Sequence, residues 1–189
     1  LHKSNDKTQP GNYRPISLLS IPGKVYAMLI MQRVREGLDA QLLEAQCGFR
    51  AKRGTVDAIF TLRQLVGGCH AKQQPLCAAF VDLAKAFDSV NRPALWQVLR
   101  LYRVPGVLVN LLEDLHTGTQ AAVRMDGALG SWFATQSGMR QGCVIAPLLF
   151  NTFMDFVVRR ALARVQEELG HECGIHIVVD GQPRTFLGM

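Results

Sequence analysis

The sequence predicts an α/β fold of the α+β type, a mixed and mostly antiparallel sheet packed on helices. Three observations lead there. Five segments carry apolar residues at helical spacing or sit between helix start and stop signals. Two pairs of short apolar runs, one joined by "DGALG" (residues 126–130) and one around Asp180-Gly181, carry hairpin signals. Strands and helices do not alternate as regular βαβ units, which argues against a parallel sheet. At 189 residues, 48% of them hydrophobic and 19% charged, the chain can bury a core as one large domain or two small ones.

The stretch "KSNDKTQPGNYRP" is rich in turn formers and reads as a loop or hairpin. Residues 22–38 read as a helix with Pro22 near its start and Val25, Met28, Leu29 and Val34 as its apolar stripe. A basic, glycine-punctuated loop, "QCGFRAKRGT", follows. Thr55 is the expected cap of a helix to about His70, with Ile59, Leu62 and Leu65 on one face. Gln74-Pro75 breaks the chain, and residues 76–82 read as a buried strand. Asn91 and Pro93 start a helix to about Tyr102, and Pro105-Gly106 separates it from one ending near His116. Residues 119–126 and 130–136 read as paired strands. "QSGMRQGC" then opens a long helix from about Val144 to Glu168, where Pro147 is tolerated in the first turn. Residues 174–180 and 184–188 form the last expected hairpin.

Charge is unevenly placed. Residues 1–72 hold eleven Lys or Arg against five Asp or Glu, while residues 73–189 hold ten of each, so the whole net charge of +6 lies in the N-terminal part. Such a lobe suits a polyanion, nucleic acid or a triphosphate, and equally suits a solvated surface. Five cysteines, none in a C-x-x-C pair, argue against a disulfide framework and for a reducing compartment. His171, Cys173 and His176 lie close together, but no second ligand cluster backs a metal site there. No apolar run reaches the ~18 residues of a membrane span. No signal peptide is seen, and a first residue of Leu1 marks the sequence as a piece of a longer polypeptide.

Three groups of residues could carry chemistry. Asp82 closes the apolar run "LCAAFVDL", and a carboxylate at a buried strand end is hydrogen-bonded, paired or metal-bound. Mg²⁺ takes a few such oxygens and keeps water and phosphate for the rest. Asp88 lies six residues on, about 240° out of phase on a helix, so spacing assigns it a structural role near the helix that starts at residue 91. "SGMRQGC" brackets Met139, Arg140 and Gln141 with glycines ahead of a helix N-terminus. That pattern fits close approach to an anion, and also an ordinary loop. Lys3, Arg14, Arg50, Lys52 and Arg53 could clamp phosphates.

Taken in order, these features resemble the reverse transcriptases of non-LTR (LINE-type) retrotransposons. "GNYRPISLLS" is similar to that family's first block and "QCGFRAKRGTVDAI" to its second. "AAFVDLAKAFDSVNR" resembles its motif A, and "GMRQGCVIAPLLFN" its motif B. The resemblance implies right-hand polymerase fingers and a partial palm, with residues 1–74 a fingers-like basic region and 75–189 the palm part. It implies that Asp82 binds catalytic Mg²⁺, joined by the carbonyl of Leu83, and that Phe87 is the aromatic gate against a ribose 2′-hydroxyl. It places Lys3 and Arg14 on the incoming triphosphate, Gln141 and Gly142 on nucleotide and template, and Arg50, Lys52 and Arg53 along the template strand. Ala146 stands where the family usually has serine, before Pro147.

The implied reaction adds deoxynucleotides to a DNA primer 3′-hydroxyl on an RNA template, with two Mg²⁺ ions. The implied setting is intracellular, in the cytoplasm, the nucleus or both. The family's motif C, an aromatic-Ala-Asp-Asp hairpin, is expected just beyond "RTFLGM", and no Asp-Asp pair occurs in the sequence. On that ground the segment alone is expected to be inactive. A catalytically dead remnant that binds nucleic acid through its basic residues is the alternative.

Overall fold

All five expected helices form in the computed structural model, with ends displaced by no more than two residues where both were expected. The structure describes residues 2, 6–13, 16–17, 19–125, 127–169, 175–179 and 182–186. Lys3 and Arg14 lie outside these, as do His171 and Cys173. In chain order the elements are α1 (Ile21–Asp39), α2 (Thr55–Ala71), α3 (Arg92–Leu101), α4 (Gly106–His116), β1 (Gln120–Ala121), β2 (Arg124–Met125), β3 (Ala128–Leu129), β4 (Phe133–Ala134), α5 (Ala146–Leu169), β5 (Ile175–Val179) and β6 (Gln182–Phe186). The strands pair as β1–β4, β2–β3 and β5–β6, all antiparallel. The α+β class therefore holds. The chain divides into two units, Leu1–Leu38 with Lys85–Phe150, and Asp39–Ala84 with Asn151–Met189.

In the first unit, α3 starts where its cap dictates. Asn91 is extended, and its side-chain oxygen accepts the Ala94 N–H at 2.9 Å, with Pro93 in the first turn. Leu95, Trp96, Val98 and Leu99 are buried on α3, and Val109 and Leu112 on α4. α1 contributes Ala27, Ile30, Val34 and Leu38 to the buried set. Of the expected stripe on α1 only Val34 is buried; Val25, Met28 and Leu29 are exposed. Two adjacent faces of α1 are apolar, and packing selected the one that carries Ala27 and Ile30. β1 to β4 form one interrupted hairpin, in which Gly130 N–H donates to the Val123 carbonyl at 2.8 Å between the two paired stretches.

Two buried polar side chains hold the end of α4. Arg92, 8% exposed, donates through Nε to the Gly138 carbonyl (2.9 Å) and through Nη1 to the carbonyls of His116 (2.9 Å) and Thr135 (2.8 Å). Its Nη2 donates to the Ser137 carbonyl at 3.2 Å. Carbonyl dipoles take the place of a counter-ion, and burial lowers the Arg92 pKa, with the Arg140 charge adding to it. His116, 2% exposed, packs against Trp96 at 5.5 Å and donates from Nδ1 to the Leu112 carbonyl at 2.8 Å. Its Nε2 has no hydrogen-bond partner among the described residues. Burial drives its pKa down to about 4, against the bond to Leu112, and the charges of Arg140 and Arg92 lower it further.

In the second unit the loop before α2 is tied to α5. Asp155, fully buried, accepts the Leu43 N–H (2.6 Å) and pairs with Arg159 (2.6 Å). One turn earlier, Asn151 donates to the Gly48 carbonyl (2.7 Å) and accepts from Gln46 (3.1 Å). The cap of α2 is Gly54, not Thr55. Asp57 reaches back to accept the Gly54 N–H at 2.7 Å, so the extended Gly54 sits at the boundary and Thr55 is the first helical residue. Residues 76–82 do not form the expected strand, and Phe80 and Val81 are 85% and 80% exposed. A strand exists only through its ladder, and no described residue pairs with this run.

The His116 geometry fixes the sign of a pH effect. A histidine whose folded pKa is below the unfolded value of about 6.5 stabilises the fold fully above that value and progressively less down to about pH 4. Roughly 2 kcal/mol is lost between pH 7 and pH 5 by this linkage. Urea titrations at the two pH values should show that difference, and His116→Gln should remove most of it. An equal pH slope in the variant would contradict the assignment.

Candidate functional site

The first unit brings the end of the motif A stretch against the motif B loop. Residues 84–89 form a run of turns. Within it the Phe87 carbonyl accepts the Met139 N–H at 2.8 Å, and the Val90 carbonyl accepts the Gly138 N–H at 2.9 Å. Gly138 has φ +77°, and a Cβ there would stand 2.7 Å from the Asp88 carbonyl oxygen and 2.8 Å from its Cα. Only glycine fits a left-handed backbone that close to another main chain. Ser137 Oγ adds a 3.4 Å contact to the Asp88 carbonyl. Phe87 stacks on Phe150 of α5, with ring centroids 4.5 Å apart and planes 23° apart.

Gln141 and Gly142 are fixed from a second side. The Gln141 carbonyl accepts the Ser17 N–H at 2.6 Å. Gly142 has φ +110°, and a Cβ there would collide with the Ser17 carbonyl oxygen. The Gln141 side chain is half-buried and donates from Nε2 to Asp88 Oδ1 at 3.0 Å. Asp88 therefore has the structural partnership that spacing assigned to it, and the partner is Gln141 rather than the start of α3. The close approach that the glycines permit is to main chain, at Asp88 and Ser17.

Lys3 and Arg14 lie outside the described residues, and the other expected site residues belong to the second unit. Asp82 and Leu83 are exposed in an irregular segment. The carboxylate thus meets water rather than the buried strand end expected of it. Arg50 is held by Asp39 (3.0 Å) and by the carbonyls of Asp39, Leu43 and Gln46. Arg53 pairs with Glu44, which lowers the Glu44 pKa and raises that of Arg53 through their side-chain hydrogen bond. Lys52 is exposed at φ +61°, three residues after Phe49 at φ +55°. The structure thus joins Phe87, Gln141 and Gly142 within one unit and places Asp82, Leu83, Arg50, Lys52 and Arg53 in the other. Sequence reasoning missed Arg92, Asn151 and Asp155, which bond main-chain groups 24 to 112 residues away.

A cleft of about 450 Å³ opens in the first unit beside Trp96, His116, Thr119 and Thr135. It contains none of the expected site residues. Mg²⁺ calls for several hard oxygens. Asp82 and the Leu83 carbonyl are of the right kind, but no group of three His, Cys, Asp or Glu side chains converges among the described residues. The donor set fits the ion in chemistry and falls short in number. No helix among the described residues is long and apolar enough to cross a membrane.

A family model described as reverse transcriptase (RNA-dependent DNA polymerase) matches residues 1–179. The chain belongs to the reverse transcriptase family. Its resemblance to the enzymes of non-LTR retrotransposons is borne out by its relatives. It is 29% identical over 152 residues to the "Retrovirus-related Pol polyprotein from type-1 retrotransposable element R2" of Nasonia vitripennis, covering 80% of this chain and 14% of that protein. It is 31% identical over 153 residues to the "Probable RNA-directed DNA polymerase from transposon X-element" of Drosophila melanogaster, covering 79% and 17%. A jockey-element RNA-directed DNA polymerase of Drosophila funebris is 29% identical over 75% of this chain and 16% of its own length. This reverse transcriptase segment thus spans about a sixth of the relatives it matches.

In this reverse transcriptase segment, the crowding at Gly142 makes a strong demand on sequence. Gly142→Ala adds a Cβ against the Ser17 carbonyl and strains φ, and should cost about 2–4 kcal/mol. Gly118 also has positive φ (+60°) but open space around it, so Gly118→Ala should cost about 1 kcal/mol. Chemical unfolding of both variants checks the order; equal losses would contradict the close approach.

Proposed function

We propose that this segment is part of an RNA-directed DNA polymerase that extends a DNA primer 3′-hydroxyl with deoxynucleotides on an RNA template. The observation that carries the reading is the backbone lock between the turn after Asp82 and Gly138-Met139, at the head of the loop that carries Gln141. That lock holds the proposed sugar gate, Phe87, beside the proposed nucleotide contact, Gln141. The family match and the names of the relatives support the same reaction. In this reading residues 1–74 are fingers-like, residues 75–189 are part of the palm, and the setting is intracellular.

The steps assigned to this chain are binding and orientation. Phe87, backed by Phe150, closes the space beside the sugar and rejects a 2′-hydroxyl by contact. Gln141 and Gly142 meet the nucleotide and template; Lys3 and Arg14 hold the triphosphate. Lys52 is the second-block cation that reaches template phosphate, with Arg50 ordering the loop and Arg53 beside it. Asp82 and the Leu83 carbonyl are the oxygens offered to Mg²⁺, and the partner carboxylates come from the longer polymerase. Bound Mg²⁺ would supply Lewis-acid activation of the primer hydroxyl and charge stabilisation on the leaving oxygen.

Two outcomes test this in templated primer extension by the polymerase that contains this chain. Asp82→Ala should lower extension about 10³-fold or more, since a metal ligand carries several kcal/mol of transition-state stabilisation. Extension within about tenfold of the parent would contradict the metal role. Phe87→Ala should reduce discrimination against ribonucleotides about tenfold or more. Selectivity is a ratio of kcat/KM values, so it separates the gate from lost stacking on Phe150. An unchanged ratio would remove Phe87 from the gate.

A further inference from the structure

We propose that Asp88 is a positioning residue that sets the polarity of the Gln141 side chain toward the nucleotide; this rests on the functional reading above. A glutamine amide has nearly the same shape in its two flipped orientations, and only its hydrogen bonds distinguish them. A carboxylate accepts and does not donate. The 3.0 Å bond from Gln141 Nε2 to Asp88 Oδ1 therefore turns the amide nitrogen inward and leaves Oε1 as the opposite pole. Whatever docks against that pole must donate a hydrogen bond, from a sugar hydroxyl or a base N–H.

The geometry gives this pair little freedom. The main chain at Asp88 lies against Gly138 with no room for a Cβ, and bonds at Phe87 and Val90 bracket it. The main chain at Gln141 is held by Ser17. Both side chains are half-buried, so water competes less for the bond than at an open surface. With both backbones fixed and the two side chains in contact, the Asp88 carboxylate selects between the two flips of the amide.

Asp88→Asn keeps size and shape but can either accept from or donate to the amide, so it releases the flip. In single-nucleotide incorporation by the polymerase that contains this chain, Asp88→Asn should raise KM for the deoxynucleotide about fivefold to tenfold. The same variant should keep kcat within about twofold. In a Gln141→Met background the same substitution should leave KM unchanged, because the two residues act as one. An unchanged KM in the single variant, or an equal rise in the Gln141→Met background, would overturn the proposal. Should the parent polymerase show no templated incorporation, the functional reading fails by itself. The side-chain ¹⁵N–¹H signals of Gln141 in the 189-residue chain then decide. A Gln141 N–H signal that is shifted downfield and protected from solvent exchange, and that loses both properties in Asp88→Asn, supports the lock; identical spectra overturn it.

Discussion

Two main-chain hydrogen bonds, from Met139 N–H to the Phe87 carbonyl and from Gly138 N–H to the Val90 carbonyl, hold the candidate site of the first unit together. They join stretches about 50 residues apart in sequence, and they form because Gly138 has no side chain to keep Asp88 away. Arg92, two residues after Val90, then gathers carbonyls from residues 116, 135, 137 and 138. The buried cation is stabilised by convergent carbonyls, which ties the end of α4, the end of the hairpin and the motif B loop to the start of α3. Leaving that many acceptors unpaired would cost far more than one exposed hydrogen bond. The position of Phe87 and Gln141 is a consequence of this network.

The second unit uses a related device on a different helix. Asn151 and Asp155, one turn apart on α5, hold the loop that carries Gly48 and Arg50. Arg50 donates to Asp39 at the end of α1 and to loop carbonyls, and Arg53 pairs with Glu44. A count of positive residues therefore overstates what this region can offer to a polyanion. Lys52 remains at the tip, in a left-handed conformation that a non-glycine residue adopts at a cost of about 1 kcal/mol.

What was legible in the sequence was local. Asn91 and Pro93 announced α3, and both expected hairpins pair, although Ala128 and Leu129 of the expected "DGALG" connection are themselves paired as β3. The four ordered blocks identified the family over most of the chain. What was not legible depended on distant partners. The run at 76–82 has strand composition, but pairing lies outside its own residues. The face of α1 that packs was ambiguous because Met28 and Leu29 are as apolar as Ile30. The glycines of "SGMRQGC" signalled close approach, and only the fold revealed that the approach is to main chain at Asp88 and Ser17. The buried roles of Arg92 and Asp155 carried no local signal, because their carbonyl and amide partners are far away in sequence.

Amide hydrogen exchange at Gly138 and Met139 tests the central claim most directly. If those two N–H groups lock motif A to motif B, they should be protected to nearly the same degree as the core of α3. Arg92→Met should release both together. Exchange of Gly138 and Met139 at the rate of an exposed loop in the parent chain would contradict the lock.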